Sequence, residues 1–180
     1  MPCDCCAGKM SVMNLRNTPF LVLDTETTGL DARAEICQIA IVDHNGTVLI
    51  DQLVKPVLPI PADVIAIHGI TNEKVANQPP WRTVREEVLR LITGQTVVIY
   101  NAAFDVRMLI QSDTMSNLSP APYGQLAAFQ CAMKAYARGS RWVKLGQACS
   151  AHGIPTHHAH SALGDCRMTL ALVRKVWLEG

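Results

Sequence analysis

The feature that most constrains this chain is a strand, a turn and a strand written between residues 36 and 54. ICQIAIVD (36–43) is almost wholly apolar, His44-Asn45-Gly46 follows, and TVLIDQLV (47–54) resumes a β-branched run. Asn-Gly between two such runs favours the reversal of a β-hairpin. A further apolar run, FLVLD (20–24), precedes the hairpin and ends in a carboxylate, and TVVIY (96–100) is similar. Runs without alternation belong to strands covered on both faces. Prolines 56, 59 and 61 end the strand region, and short helical pieces are expected near 61–66 and 71–76.

Trp81, Val84, Val88 and Leu91 recur at helical spacing within 80–93, behind Pro80. Helices are also expected at 102–111, 130–138, 143–152 and 161–178, with 118–124 as a loop and Gly139 and Gly153 near helix ends. Leu163, Cys166, Leu170, Val173 and Trp177 give the last helix its apolar stripe. Three strands, a helix, a strand and further helices predict an α/β layer fold with a mixed sheet, its first three strands antiparallel.

With 180 residues, 49% hydrophobic, the chain suits one domain with a sizeable core. Its net charge of +1 lacks the basic excess of a sequence-independent duplex binder. Any contact with nucleic acid would therefore be local, or metal ions would supply its positive charge. Seven cysteines, several in apolar stretches, do not form a disulfide framework. With no signal-peptide pattern and no apolar run near ~20 residues, a reduced cytoplasmic protein without a membrane span is expected. Residues 1–17, including Cys3, Cys5 and Cys6, fit no periodic pattern and are expected to form a disordered tail.

Chemistry gathers in three places. In DTETTG (24–29), Asp24 and Glu26 stand two apart on extended chain and project to one face, with Gly29 permitting a sharp exit. Adjacent anions at the end of an apolar strand repel each other. A divalent cation resolves that, and oxygen ligands favour magnesium or manganese over zinc. The pair by itself reads equally well as solvated acids. In NAAFD (101–105), Asp105 falls in the first turn of a helix, where the dipole also favours a carboxylate, and Asn101 suits a helix cap or a substrate contact. In HSALGD (160–165), five residues rotate ~140° about a helix axis. His160 and Asp165 converge only if the histidine sits in the loop or at the helix mouth, where an exposed imidazole suits a general base.

In that order, the three motifs resemble those of the DEDDh (DnaQ-like) 3′→5′ exonuclease superfamily. The superfamily includes the epsilon proofreading subunit of DNA polymerase III, exodeoxyribonuclease X, ribonuclease T and oligoribonuclease. IHGIT (67–71) is similar to a loop of epsilon-like members, and CAMK (131–134) and HHAHSALGDC (157–166) are similar to exodeoxyribonuclease X. The resemblance spans roughly residues 19–178.

It implies a ribonuclease H-like, five-stranded mixed sheet flanked by helices, within an exonuclease domain at 18–180. It implies removal of nucleoside 5′-monophosphates from single-stranded or frayed DNA 3′ ends, using two Mg²⁺ ions for which Mn²⁺ substitutes. Asp24, Glu26 and Asp165 would bind metal directly, Asp105 through water, and His160 would be the general base. Thr27, Leu30, His68, Asn101 and Phe104 would surround the terminal nucleotide, although each also reads as packing. An RNA exonuclease and a non-catalytic nucleic-acid-binding subunit are the alternatives, and a monomer is expected.

Two further clusters are weighed against bland readings. KAYARGSRWVK (134–144) either guides a single strand or is a solvated helix face with Trp142 buried, and the second is expected. Cys149, His152, His157 and His158 are too irregularly spaced for a zinc site.

Overall fold

A computed structural model describes residues 15, 18–137, 142–157 and 159–179. Five strands form one sheet in the order β3-β2-β1-β4-β5. They are β1 (Leu21–Thr27), β2 (Ile36–Asp43), β3 (Val48–Leu53), β4 (Thr96–Ile99) and β5 (Ala128–Cys131). The β1–β2 and β2–β3 pairs are antiparallel, and the β1–β4 and β4–β5 pairs are parallel. This is the mixed sheet anticipated from the three-strand opening.

The hairpin forms where Asn-Gly stands. Gly46 adopts φ 94°, which costs a glycine little, and Asp43 fastens the turn by accepting the backbone N–H groups of Asn45 (2.9 Å) and Thr47 (2.8 Å). The runs Leu21–Leu23 of β1, Ile39–Val42 of β2 and Val97–Ile99 of β4 are apolar without alternation because helices cover both sheet faces. Helices α1 (Ala62–His68) and α2 (Asn72–Val75) follow the hairpin. One core layer joins Leu21, Leu23, Ile39 and Ile41 to α3 (Trp81–Ile92) and α4 (Ala102–Met115). The opposite layer joins Val22, Ala40, Val42 and Val98 to α7 (Leu145–Ala151) and α8 (Ala162–Val173). Alternation along β1 thus sends odd residues to the α3–α4 side and even residues to the α8 side.

The structure differs from the sequence expectations in four places. The helix expected at 130–138 forms as α6 (Ala132–Ala137), but it starts later than expected because Ala128–Cys131 before it is strand β5. Four residues carry no readable period, and Ala128–Cys131 becomes a strand by pairing with Thr96–Ile99. The loop expected at 118–124 forms over 118–122, and its last two residues enter a short helix, α5 (Tyr123–Leu126). The final helix does not run unbroken, since Arg174–Leu178 is π-helical. Trp142 is 76% exposed rather than buried, on a non-helical segment. Arg138, Gly139 and Arg141 of that basic stretch lie outside the described residues, as do most of residues 1–17, although Leu15 is buried in the α8-side core.

Some polar groups are buried for structural ends. Asp113 accepts Trp81 Nε1 (2.8 Å), the Ala121 N–H (2.9 Å) and the Tyr123 hydroxyl (3.1 Å), with Arg85 Nε at 2.8 Å. Buried Glu35 accepts the N–H groups of Val57 and Leu58, each at 2.9 Å, fixing the loop after β3. No described helix is long and apolar enough to cross a membrane.

Candidate active site

The site is assembled at the end of β1, where the alternation of the strand divides its acids between two faces. Asp24 and Glu26 share the Val22 side and meet Asp165 in the first turn of α8. These three carboxylates offer oxygens that all lie within 4.8 Å of one another. Ser161 caps α8, its Oγ accepting the Gly164 N–H at 3.2 Å, and Gln38 Oε1 accepts the Ala162 N–H at 3.2 Å. The start of α8 is thereby pinned to the strand beside β1.

Asp105 arrives from the other face. Thr25 points toward α4, and both its backbone N–H (3.1 Å) and its hydroxyl (2.8 Å) donate to Asp105 Oδ1. Asp105 is therefore buried beside the trio rather than a member of it. Sequence reasoning passed over Thr25. Its odd position between two even-facing acids was the signal that could have found it.

Electrostatics single out this cluster. Burial, and then the charges of Asp105, Asp165 and Glu26, hold Asp24 well above the ordinary carboxylate range. Burial and the charges of Asp165 and Asp105 push Glu26 up to about 8. Burial raises Asp105 to about 7 despite the two Thr25 hydrogen bonds that pull it down. Asp165 is raised by burial, against the opposing influence of the His160 backbone N–H and ring. Desolvated like charges at this spacing do not all ionise without a counter-charge. Asp165 Oδ1 is moreover buried without a hydrogen-bond partner. An all-oxygen donor set with an orphaned lone pair fits hard divalent cations of the magnesium or manganese type.

His160 stands where the helix-mouth argument required it. It is exposed, two residues ahead of Ala162, at φ 67°, a conformation that histidine visits more readily than most residues. His68 differs from expectation in what occupies its ring. Nδ1 accepts the Ile70 N–H at 3.0 Å, so Nε2 carries the proton and faces the Thr27 carbonyl at 3.3 Å. Burial lowers its pKa, and the neutral ring ties the α1–α2 turn to the end of β1. Both ring nitrogens are committed to the protein itself.

The remaining expected residues fall around the same mouth. Thr27 is buried and donates its hydroxyl to the Gly29 carbonyl at 2.9 Å. Asn101 occupies the N-cap position of α4, but its side chain makes no capping bond, so the capping alternative does not describe it. Leu30 is 76% exposed, which removes the packing alternative. Phe104 is half-buried against the α4-side core, with the Arg107 guanidinium 5.3 Å from its ring centroid. Cys149, of the discounted zinc cluster, bonds instead to the Met168 carbonyl, and His152 pairs with Tyr136.

A fold and an acid cluster of this kind fit the class of metal-dependent phosphodiesterases. The exonuclease family model RNase_T matches residues 21–173, and the chain belongs to that family, the DEDDh nucleases. It is 38% identical over 165 residues to the uncharacterized exonuclease CP81 of Escherichia phage 186, covering 85% of each chain. It is 30% identical to the DNA polymerase III epsilon subunit of Treponema pallidum, covering 85% of this chain and 74% of that one. Among solved structures, exonuclease X in complex with 5′-overhanging duplex DNA superposes with a TM-score of 0.66 at 29% identity, covering 86% and 88% of the two chains. Exonuclease I shares the fold, with a TM-score of 0.73 at 18% identity over 88% of this chain and 41% of the other. The chain is thus a nucleic-acid-binding exonuclease.

Proposed function

We propose that this exonuclease removes nucleoside 5′-monophosphates stepwise from the 3′ ends of single-stranded or frayed DNA. The observation that carries the reading is the trio Asp24, Glu26 and Asp165, with oxygens within 4.8 Å and one buried oxygen of Asp165 unpartnered. These three residues would hold two magnesium ions, for which manganese substitutes, with Asp105 reaching them through water. When bound, such ions supply Lewis-acid polarisation of the phosphodiester and neutralise charge on the leaving oxygen.

The protein's own residues do the rest. His160, exposed at the mouth of α8, takes the proton of the attacking water. Thr25 holds Asp105 in place from the far face of β1. Leu30 and Phe104 receive the unpaired terminal base, and Thr27, Asn101 and His68 shape the edge of that pocket. Free thiols at Cys37, Cys149 and Cys166, all buried, fit a reducing compartment, and we place the protein in the cytoplasm.

Incubation with magnesium and a 5′-labelled single-stranded oligonucleotide should give a ladder shortened one nucleotide at a time, and Asp24→Ala should give none. Equal shortening by wild type and variant would end the catalytic assignment. Matched DNA and RNA oligomers in the same assay decide the sugar. Faster RNA digestion would replace the DNA reading with the ribonuclease one. Binding without nucleotide release under manganese would replace both with a non-catalytic subunit. A sizing column run on the same preparation checks the expected monomer.

A further inference from the structure

We propose that Arg107 and Gln111 are positioning residues of the reaction, clamping the β1–β2 loop so that Leu30 is presented, fixed, to the terminal base; this rests on the proposed 3′-end reading. The two residues stand four apart on α4, which places them on one face of the helix. Arg107 Nη1 donates to the Leu30 carbonyl at 3.2 Å. Gln111 Nε2 donates to the carbonyls of Asp31 (2.9 Å) and Ala34 (2.6 Å). Three consecutive-turn contacts therefore hold the flank of a loop that already closes at its base. There the Thr28 N–H meets the Glu35 carbonyl at 2.8 Å and the Glu35 N–H meets the Thr28 hydroxyl at 2.9 Å.

An exposed leucine is ordinary on a protein surface. An exposed leucine on a loop fastened from both its base and its flank is less so, because surface loops usually keep their freedom. The guanidinium that holds Leu30 also lies over the Phe104 ring. One side chain thus links the two apolar groups expected to receive the base. The same helix carries Asp105, so the clamp, the ring and the acid move as one body. Binding a terminal base to a loop that is already ordered avoids the entropy of ordering it at that moment.

The test crosses the protein change with a change in substrate. First-nucleotide release is measured on oligonucleotides whose 3′ residue carries a base or is an abasic tetrahydrofuran. Arg107→Ala should raise KM on the base-bearing end about tenfold, with kcat little changed. On the abasic end the variant and wild type should converge. Arg107→Lys, which keeps a donor but loses the planar stack, should recover part of the loss.

Arg82→Ala is the control, since Arg82 Nη2 makes the same kind of loop contact to the Ser116 carbonyl at 3.0 Å, on another loop. An equal penalty on both ends, or the same penalty from Arg82→Ala, overturns the proposal. The first would mean contact with the backbone phosphate, the second a general loosening. Anisotropy of the labelled oligomers with calcium in place of magnesium reads the same comparison without turnover. If wild type shortens neither oligomer, the 3′-end reading fails, and the anisotropy comparison still decides the clamp.

Discussion

At the residue scale, the acids at the end of β1 work against the fold that holds them. Asp24 is held well above its ordinary pKa by burial and by its acidic neighbours. Asp24→Asn removes that repulsion. In EDTA at pH 8 the variant should melt ~2–4 °C above wild type, about 1 kcal/mol for a chain of this size, while nuclease activity is lost. Calorimetry with a parallel activity assay checks both halves, and a lower melting point would show that the carboxylate is satisfied without metal. Thr25 makes a second test. Its hydroxyl bond lowers the pKa of Asp105, so Thr25→Val should push Asp105 above its present value of about 7. The acid limb of the pH–rate profile should then move to higher pH. An unmoved limb would detach Asp105 from the rate.

At the element scale, Trp81 and Trp142 have opposite meanings. Trp81 opens α3, is 2% exposed and donates to buried Asp113 at 2.8 Å. Trp81→Ala should cost ~3–5 kcal/mol in denaturant unfolding. Trp142 is exposed, so Trp142→Ala should leave stability within ~0.5 kcal/mol. Periodicity marked Trp81 as core because it falls on the stripe with Val84 and Val88. It said nothing reliable about Trp142, which belongs to no periodic element. Strand β5 shows the same limit. AFQC has too few residues to declare a strand, and only its ladder with β4 makes it one.

At the scale of the whole molecule, the site joins β1, α4 and α8, so its protonation state bears on folding. Carboxylates raised in the folded state take up protons on folding. Their contribution is fully present below the unfolded pKa, near 4.5 for Glu26, and is lost as pH climbs through the folded value of about 8. Without metal, the melting temperature should therefore fall between pH 5 and pH 8. Magnesium, bound there as proposed, would displace those protons and should add more stability at pH 8 than at pH 6, read as the melting shift against free magnesium. Equal magnesium shifts at both pH values would separate the cation from the carboxylate cluster.

The sequence by itself determined the hairpin at Asn45-Gly46, the buried central strands and the parity that puts Asp24 and Glu26 on one face. It also set the order of motifs by which the family was recognisable. These are properties of neighbours along the chain, where side-chain direction follows from backbone period. Tertiary structure decided that Asp105 meets the cluster from the opposite face through Thr25 and that His68 spends its nitrogens on Ile70 and Thr27. It also decided that α4 clamps the Leu30 loop. Apart from the local His68–Ile70 bond, those contacts join residues distant in sequence, and their energies arise only when packing of the two core layers brings the elements together.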